Sequence, residues 1–133
     1  MPVVHPIALL CTGVLAVLLF GLGFTVSGAR GRFKLLIGVT PDPDALLNRL
    51  VRAHGNTAEY APFLAVLFLA LGARQPSQFT LWLIGLATVA RVLFVIGMLS
   101  ARTLSRPSPL RFVGAAGTYV LGVWLAVLLA FGA

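Results

Sequence analysis

Acidic residues are nearly absent: Asp42, Asp44 and Glu59 stand against ten Lys and Arg in 133 residues, for a net charge of +7. Charged residues of either sign make up only 10% of the chain, 59% is hydrophobic, and mean hydropathy is +1.02. A soluble domain of this size needs far more charge to cover its surface. Composition therefore excludes that class and points to an integral, multi-pass membrane protein. Cysteine occurs once, as Cys11 in the first apolar run, which excludes an intrachain disulfide. His5 and His54 have no Cys or acid at ligand spacing, so no metal site is expected. No glycine-rich phosphate loop is present. The basic excess raises the question of nucleic acid. The basic residues fall between apolar segments, however, so lipid headgroups explain them better and no nucleic-acid partner is expected.

What is present is long apolar runs. A helix needs about 20 apolar residues to cross a hydrocarbon core of about 30 Å. Four segments fit, at 6–27, 43–72, 77–100 and 109–132. They are too long and continuous for barrel strands, which alternate. The expected fold is an all-α membrane protein: one domain over 1–133, a four-helix bundle running up-down-up-down. The first run has no Lys or Arg before it, so it reads as a retained span and not a cleaved signal. At the second span, Asp42 reads as the N-cap, Pro43 as the first helical residue and Asp44 as a first-turn acid. Arg30, Arg32 and Lys34 mark the first loop, and Arg102, Arg106 and Arg111 the third. The second holds only Arg74. Loops one and three are thus expected to be cytoplasmic. Small residues such as Gly85, Gly97, Gly114, Gly117 and Gly122 suit close helix packing and an oligomer. The Ala/Leu/Arg-rich style and short chain point to a bacterium, hence to its inner membrane.

One stretch breaks the apolar pattern: Arg52-Ala-His-Gly-Asn-Thr-Ala-Glu-Tyr-Ala-Pro62. With Arg49 included, Arg49, Arg52, Asn56, Glu59 and Tyr60 fall within roughly a 100° arc of one helix. His54 points the other way and reads as a packing residue. A charge inside the bilayer costs at least about 2.5 kcal/mol and marks a functional site by default. Pro62 bends the helix just past Glu59. Glu59 and Arg91 lie at equal distances, 16 residues, from Gln75 in the second turn. They are therefore candidate ion-pair partners at equal depth. The stripe suits an α-amino acid head group. Arg49 and Arg52 take a carboxylate by forked hydrogen bonds, Asn56 donates or accepts, Glu59 takes an ammonium group, and Tyr60 offers a hydroxyl and a ring. A γ-glutamyl peptide such as glutathione has that head group, with a second carboxylate for the basic loops.

The same stretch resembles the second-helix signature of the MAPEG family, membrane-associated proteins in eicosanoid and glutathione metabolism. The pattern Arg-Ala-x-x-Asn-x-x-Glu-x-x-Pro is matched at Arg52, Ala53, Asn56, Glu59 and Pro62. Tyr60 resembles leukotriene-C synthase. The run 90–97 is similar to the family's Arg-containing third helix, and 106–110 to the start of its fourth. The resemblance implies a homotrimer with glutathione, as co-substrate, bound between neighbouring subunits near the cytoplasmic side. It implies that Arg52 and Asn56 hold the γ-glutamyl carboxylate, Glu59 the amine, and Arg30 or Arg32 the glycyl carboxylate. Tyr60 would line the site and Arg106 would sit beside the thiol as the catalytic group. The activity implied is that of a glutathione transferase or peroxidase acting on a lipophilic electrophile or hydroperoxide. Where eicosanoid enzymes have third-helix tyrosines, this chain has Phe94, Val95, Met98 and Leu99. Alternatives are a non-catalytic MAPEG-fold ligand-binding or interaction protein, and a small four-span transporter.

Overall fold

The computed structural model describes residues 3–132, which form four helices: α1 Pro6–Phe33, α2 Leu46–Gly72, α3 Gln78–Ser100 and α4 Pro109–Phe131. There is no strand among the described residues. Each start follows from local chemistry. His5 caps α1, its Nδ1 accepting from Ile7 N at 3.2 Å, with Pro6 in the first turn. Ser77 caps α3 by accepting from Thr80 N, and Ser108 caps α4 ahead of Pro109. α1 runs to Phe33, past the expected end at 27. Arg30 and Arg32 in its last turn complement the carbonyl end of the helix, and Lys34 closes it in the left-handed conformation at φ 53°.

The start of α2 differs from expectation. Its N-cap is Ala45, with no side-chain cap, so Asp42 and Pro43 precede the helix. The reason is Asn48, which is buried. Its Oδ1 accepts from Thr40 N and Thr40 Oγ1, and its Nδ2 donates to the carbonyls of Thr40 and Asp42. The loop wraps that amide instead of entering the helix early. Asp42 Oδ1 accepts from Asp44 N, and Asp44 Oδ1 reaches the third loop to accept from Leu104 N at 2.8 Å. Pro62 lies inside α2, which continues through it.

The helices alternate in direction. His5 N donates to Gly72 O, and Arg74 Nη1 to Leu129 O, at one end. Asp44 meets Leu104, and Arg49 meets Ala101, at the other. Three helices, α1, α3 and α4, are long and apolar enough to cross a membrane. α2 has the length and spans the same two ends, but its first half carries the polar stripe, so of the four expected spans it is the one that falls short on composition. The core is split in two. One apolar cluster gathers around Leu15, Phe68 and Ile84, the other around Leu22, Leu47 and Val95. Buried Thr57, Arg91 and Thr118 lie between them.

Close contact of α3 and α4 depends on glycine at two positions. A Cβ on Gly114 would lie 2.5 Å from Phe94 N and 2.7 Å from Ala90 O, and one on Gly97 would lie 2.7 Å from Arg111 N. Gly85 is not among these packing residues, since a Cβ there meets nothing within 4 Å. We expect Gly114→Val to lower the thermal unfolding midpoint in detergent, with an overpacking cost of about 1–3 kcal/mol or more. Gly85→Ala should be neutral or stabilising by up to about 1 kcal/mol. Equal midpoints for Gly114→Val and wild type would contradict the close approach.

Candidate functional site

The stripe on α2 divides by task. Arg49 is spent on structure. Its Nη1 donates to Leu99 O at 2.5 Å and Ala101 O at 3.0 Å, and its Nε to Asp44 O. It thereby satisfies carbonyls at the C-terminal end of α3, where a cation is favoured. All three of these hydrogen bonds go to backbone carbonyls of the same chain.

Arg52 and Asn56 face an open groove of about 760 Å³, walled by Phe94 and Met98 of α3 and by Ser108 and Arg111 at the start of α4. A smaller recess of about 330 Å³ shares Arg52, Asn56, Phe94 and Met98 with it and adds Glu59. Arg52 and Glu59 are exposed. The Oδ1 of Asn56 is buried without a hydrogen-bond partner. A buried acceptor left unpaired costs on the order of 1–3 kcal/mol, so this oxygen calls for a donor. Tyr60 lines neither the groove nor the recess. Its ring packs 5.4 Å from that of Tyr119, and both line an apolar cavity of about 430 Å³ between α2 and α4. Glu59 lines this cavity as well as the recess, so it stands where the polar groove and the apolar cavity meet.

Arg91 is fully buried, as the largest such side chain in the protein. Its Nη2 donates to Thr57 Oγ1 at 3.2 Å and its Nη1 to Thr118 Oγ1 at 3.5 Å. The guanidinium carbon lies 4.9 Å from the centre of the Phe94 ring and 5.6 Å from that of Tyr60. Among the described residues it makes no ion pair with Glu59. Thr57 is close in height to Glu59, but two residues turn the helix by about 200°, and the face that meets Arg91 is the one carrying Thr57.

The basic loops do not converge on the groove in one chain. Arg30 Nη1 donates to Leu36 O. Arg32 is exposed and lines a different groove, between α1 and α2, with Phe24 and Leu50. Arg106 is exposed and is not in the groove wall, while the two residues after it, Pro107 and Ser108, line the groove. Phe94 and Met98 line the groove, Val95 does not, and all three belong to the apolar cluster built from α1, α2 and α3. His54 packs on α1, its Nε2 being 3.3 Å from where a Cβ on Gly23 would lie. Sequence reasoning missed Asn48, Thr57, Thr118 and Arg111. A threonine at the same depth as an intramembrane arginine was the available signal for two of them.

A profile of the MAPEG family matches residues 8–131, nearly the whole chain, and the chain belongs to that family. No curated protein and no solved structure matches it.

Thr57→Val leaves Arg91 Nη2 without its acceptor. We expect a loss of about 1–3 kcal/mol, read as a lower unfolding midpoint in detergent, and a further loss in the Thr57→Val/Thr118→Val double variant. An unchanged midpoint in the double variant would show that Arg91 does not depend on these hydroxyls.

Proposed function

We propose that this MAPEG chain is a membrane-bound glutathione transferase or peroxidase, holding glutathione in the groove beside α2. The single observation that carries this reading is the recess that Asn56 lines together with Arg52 and Glu59. A cation, an amide and a carboxylate on successive turns complement a carboxylate beside an ammonium, the γ-glutamyl head of glutathione. Arg52 takes the carboxylate together with the Asn56 amide N–H, and Glu59 accepts from the ammonium. Arg106 sits by the thiol. A neighbouring cation lowers a thiol pKa from about 8.5, so more thiolate is present near neutrality. The thiolate then attacks a lipophilic electrophile, forming a carbon–sulfur bond as the leaving group departs. With a hydroperoxide it takes the distal oxygen, the alcohol leaves, and a second glutathione resolves the sulfenic acid to the disulfide.

The apolar cavity behind Glu59 and Tyr60 offers the lipophilic co-substrate a place beside the groove. Arg30 or Arg32 reaches the glycyl carboxylate from a neighbouring copy, because within one chain Arg32 faces another groove. This fits a homotrimer with sites between subunits. Loops one and three, with most of the basic residues, face the cytoplasm of a bacterium whose inner membrane holds the protein. A binding-only role is the second reading, favoured by Phe94 and Met98. These groove residues provide no hydroxyl for the thiol.

Calorimetry on detergent-purified protein tests the proposal. Wild type is expected to bind glutathione at millimolar concentration or tighter. Arg52→Ala and Glu59→Gln should each weaken binding roughly tenfold or more, about 1.4 kcal/mol. Absence of binding by folded wild type overturns the reading.

A further inference from the structure

Arg111 is a cation in the first turn of α4, where a helix disfavours positive charge. Its side chain turns back on the loop between α3 and α4. Nη1 donates to Leu104 O at 3.3 Å, and Nη2 donates to Arg106 O. From the other side, Asp44 accepts from the N–H of the same Leu104 at 2.8 Å. The Leu104 backbone is therefore held at both its donor and its acceptor. The base of this clamp is fixed too. The backbone of Arg111 sits so close to Gly97 of α3 that a Cβ there would fall 2.7 Å from Arg111 N. Arg111 also lines the groove with Arg52 and Asn56.

We propose that Arg111 is a positioning residue. By gripping the carbonyls of Leu104 and Arg106 it fixes the α3–α4 loop and directs the Arg106 side chain to the mouth of the groove. The inference deepens the glutathione reading and rests on it for the task of Arg106. The clamp itself stands on geometry alone. Phe94 and Met98 in the groove wall offer the thiol no hydroxyl, and the proposed reading gives its activation to Arg106, an exposed arginine on a loop. A loop arginine contributes a steady field only if its backbone is held, since a misplacement of about 1 Å can cost on the order of a hundredfold.

Two measurements test this. Amide hydrogen exchange of ligand-free protein should show residues 101–108 losing protection in Arg111→Ala, with the helices unchanged and Arg111→Lys partly protected. With glutathione saturating, the thiolate absorbance of Arg111→Ala should drop to the level of Arg106→Ala, while Kd stays within about threefold of wild type. In the Arg106→Ala background, Arg111→Ala should remove nothing further, because the two act as one unit. Unchanged protection at 101–108 overturns the proposal whatever the protein binds. So do additive thiolate losses, or a large rise in Kd with thiolate intact, either of which makes Arg111 a direct ligand contact. Failure of the glutathione reading is separate: wild type itself then shows no binding. Should Arg111→Ala not fold, Arg111→Gln, which keeps an amide donor and drops the charge, takes its place in every comparison.

Discussion

Arg91 sets the terms for this fold. A guanidinium with no exposed surface cannot be neutralised by the solvent, and among the described residues no carboxylate pairs with it. It is kept by two threonine hydroxyls and two aromatic faces. Those partners come from α2, α3 and α4, so one side chain ties three helices at one height. The apolar core is divided at that height, with one cluster towards each end. The layer also fixes helix rotation. With Thr57 turned inward to Arg91, the face of α2 bearing Arg52, Asn56 and Glu59 must turn outward, into the groove beside Phe94 and Met98.

A second constraint is the shortage of acids. Asp42, Asp44 and Glu59 cannot balance ten cations. The chain satisfies its arginines with backbone carbonyls instead. Arg49 takes those at the end of α3, Arg74 one near the end of α4, and Arg30 and Arg111 those of loops. The carbonyls at the ends of α3 and α4 have no intrahelical partner and carry the negative pole of the helix dipole. The acids are then free for other work. Asp44 joins the two loops at one end, and Glu59 stays exposed between a polar recess and an apolar cavity.

What could be read in advance follows from what spacing encodes. Helix identity was legible because runs of apolar residues have few other solutions in a bilayer. The stripe was legible because the period of a helix is fixed, so Arg52, Asn56 and Glu59 had to share a face. The partner of Arg91 was not legible. Equal offsets from a turn give height, but the rotation of one helix against its neighbour is set by packing, where Gly97 and Gly114 let α4 seat on α3. The start of α2 failed for a related reason. Asp42 and Pro43 form a good local helix start, yet a buried Asn48 with four hydrogen bonds to the loop outweighs one capping bond. Local propensity lost in both cases to contacts that only the folded chain reveals.

On the proposed reading, the division of the basic residues leaves one chain with only part of a binding site. Arg30, Arg49, Arg74 and Arg111 are held by carbonyls of their own chain, so their positions are set before any ligand arrives. Arg52 and Arg32 are exposed and line separate grooves, on opposite sides of α2's buried face. A peptide with two carboxylates held by both of them needs the α1–α2 groove of one copy beside the α2–α4 groove of another. Association of copies would then complete the charge pattern for a dianionic thiol and also cover apolar surface such as Phe24 and Leu46 near Arg32. On the proposed reading, the same contact that buries the helices builds the site. Binding and assembly are then linked by mass action, and glutathione stabilises the assembled form over the single chain.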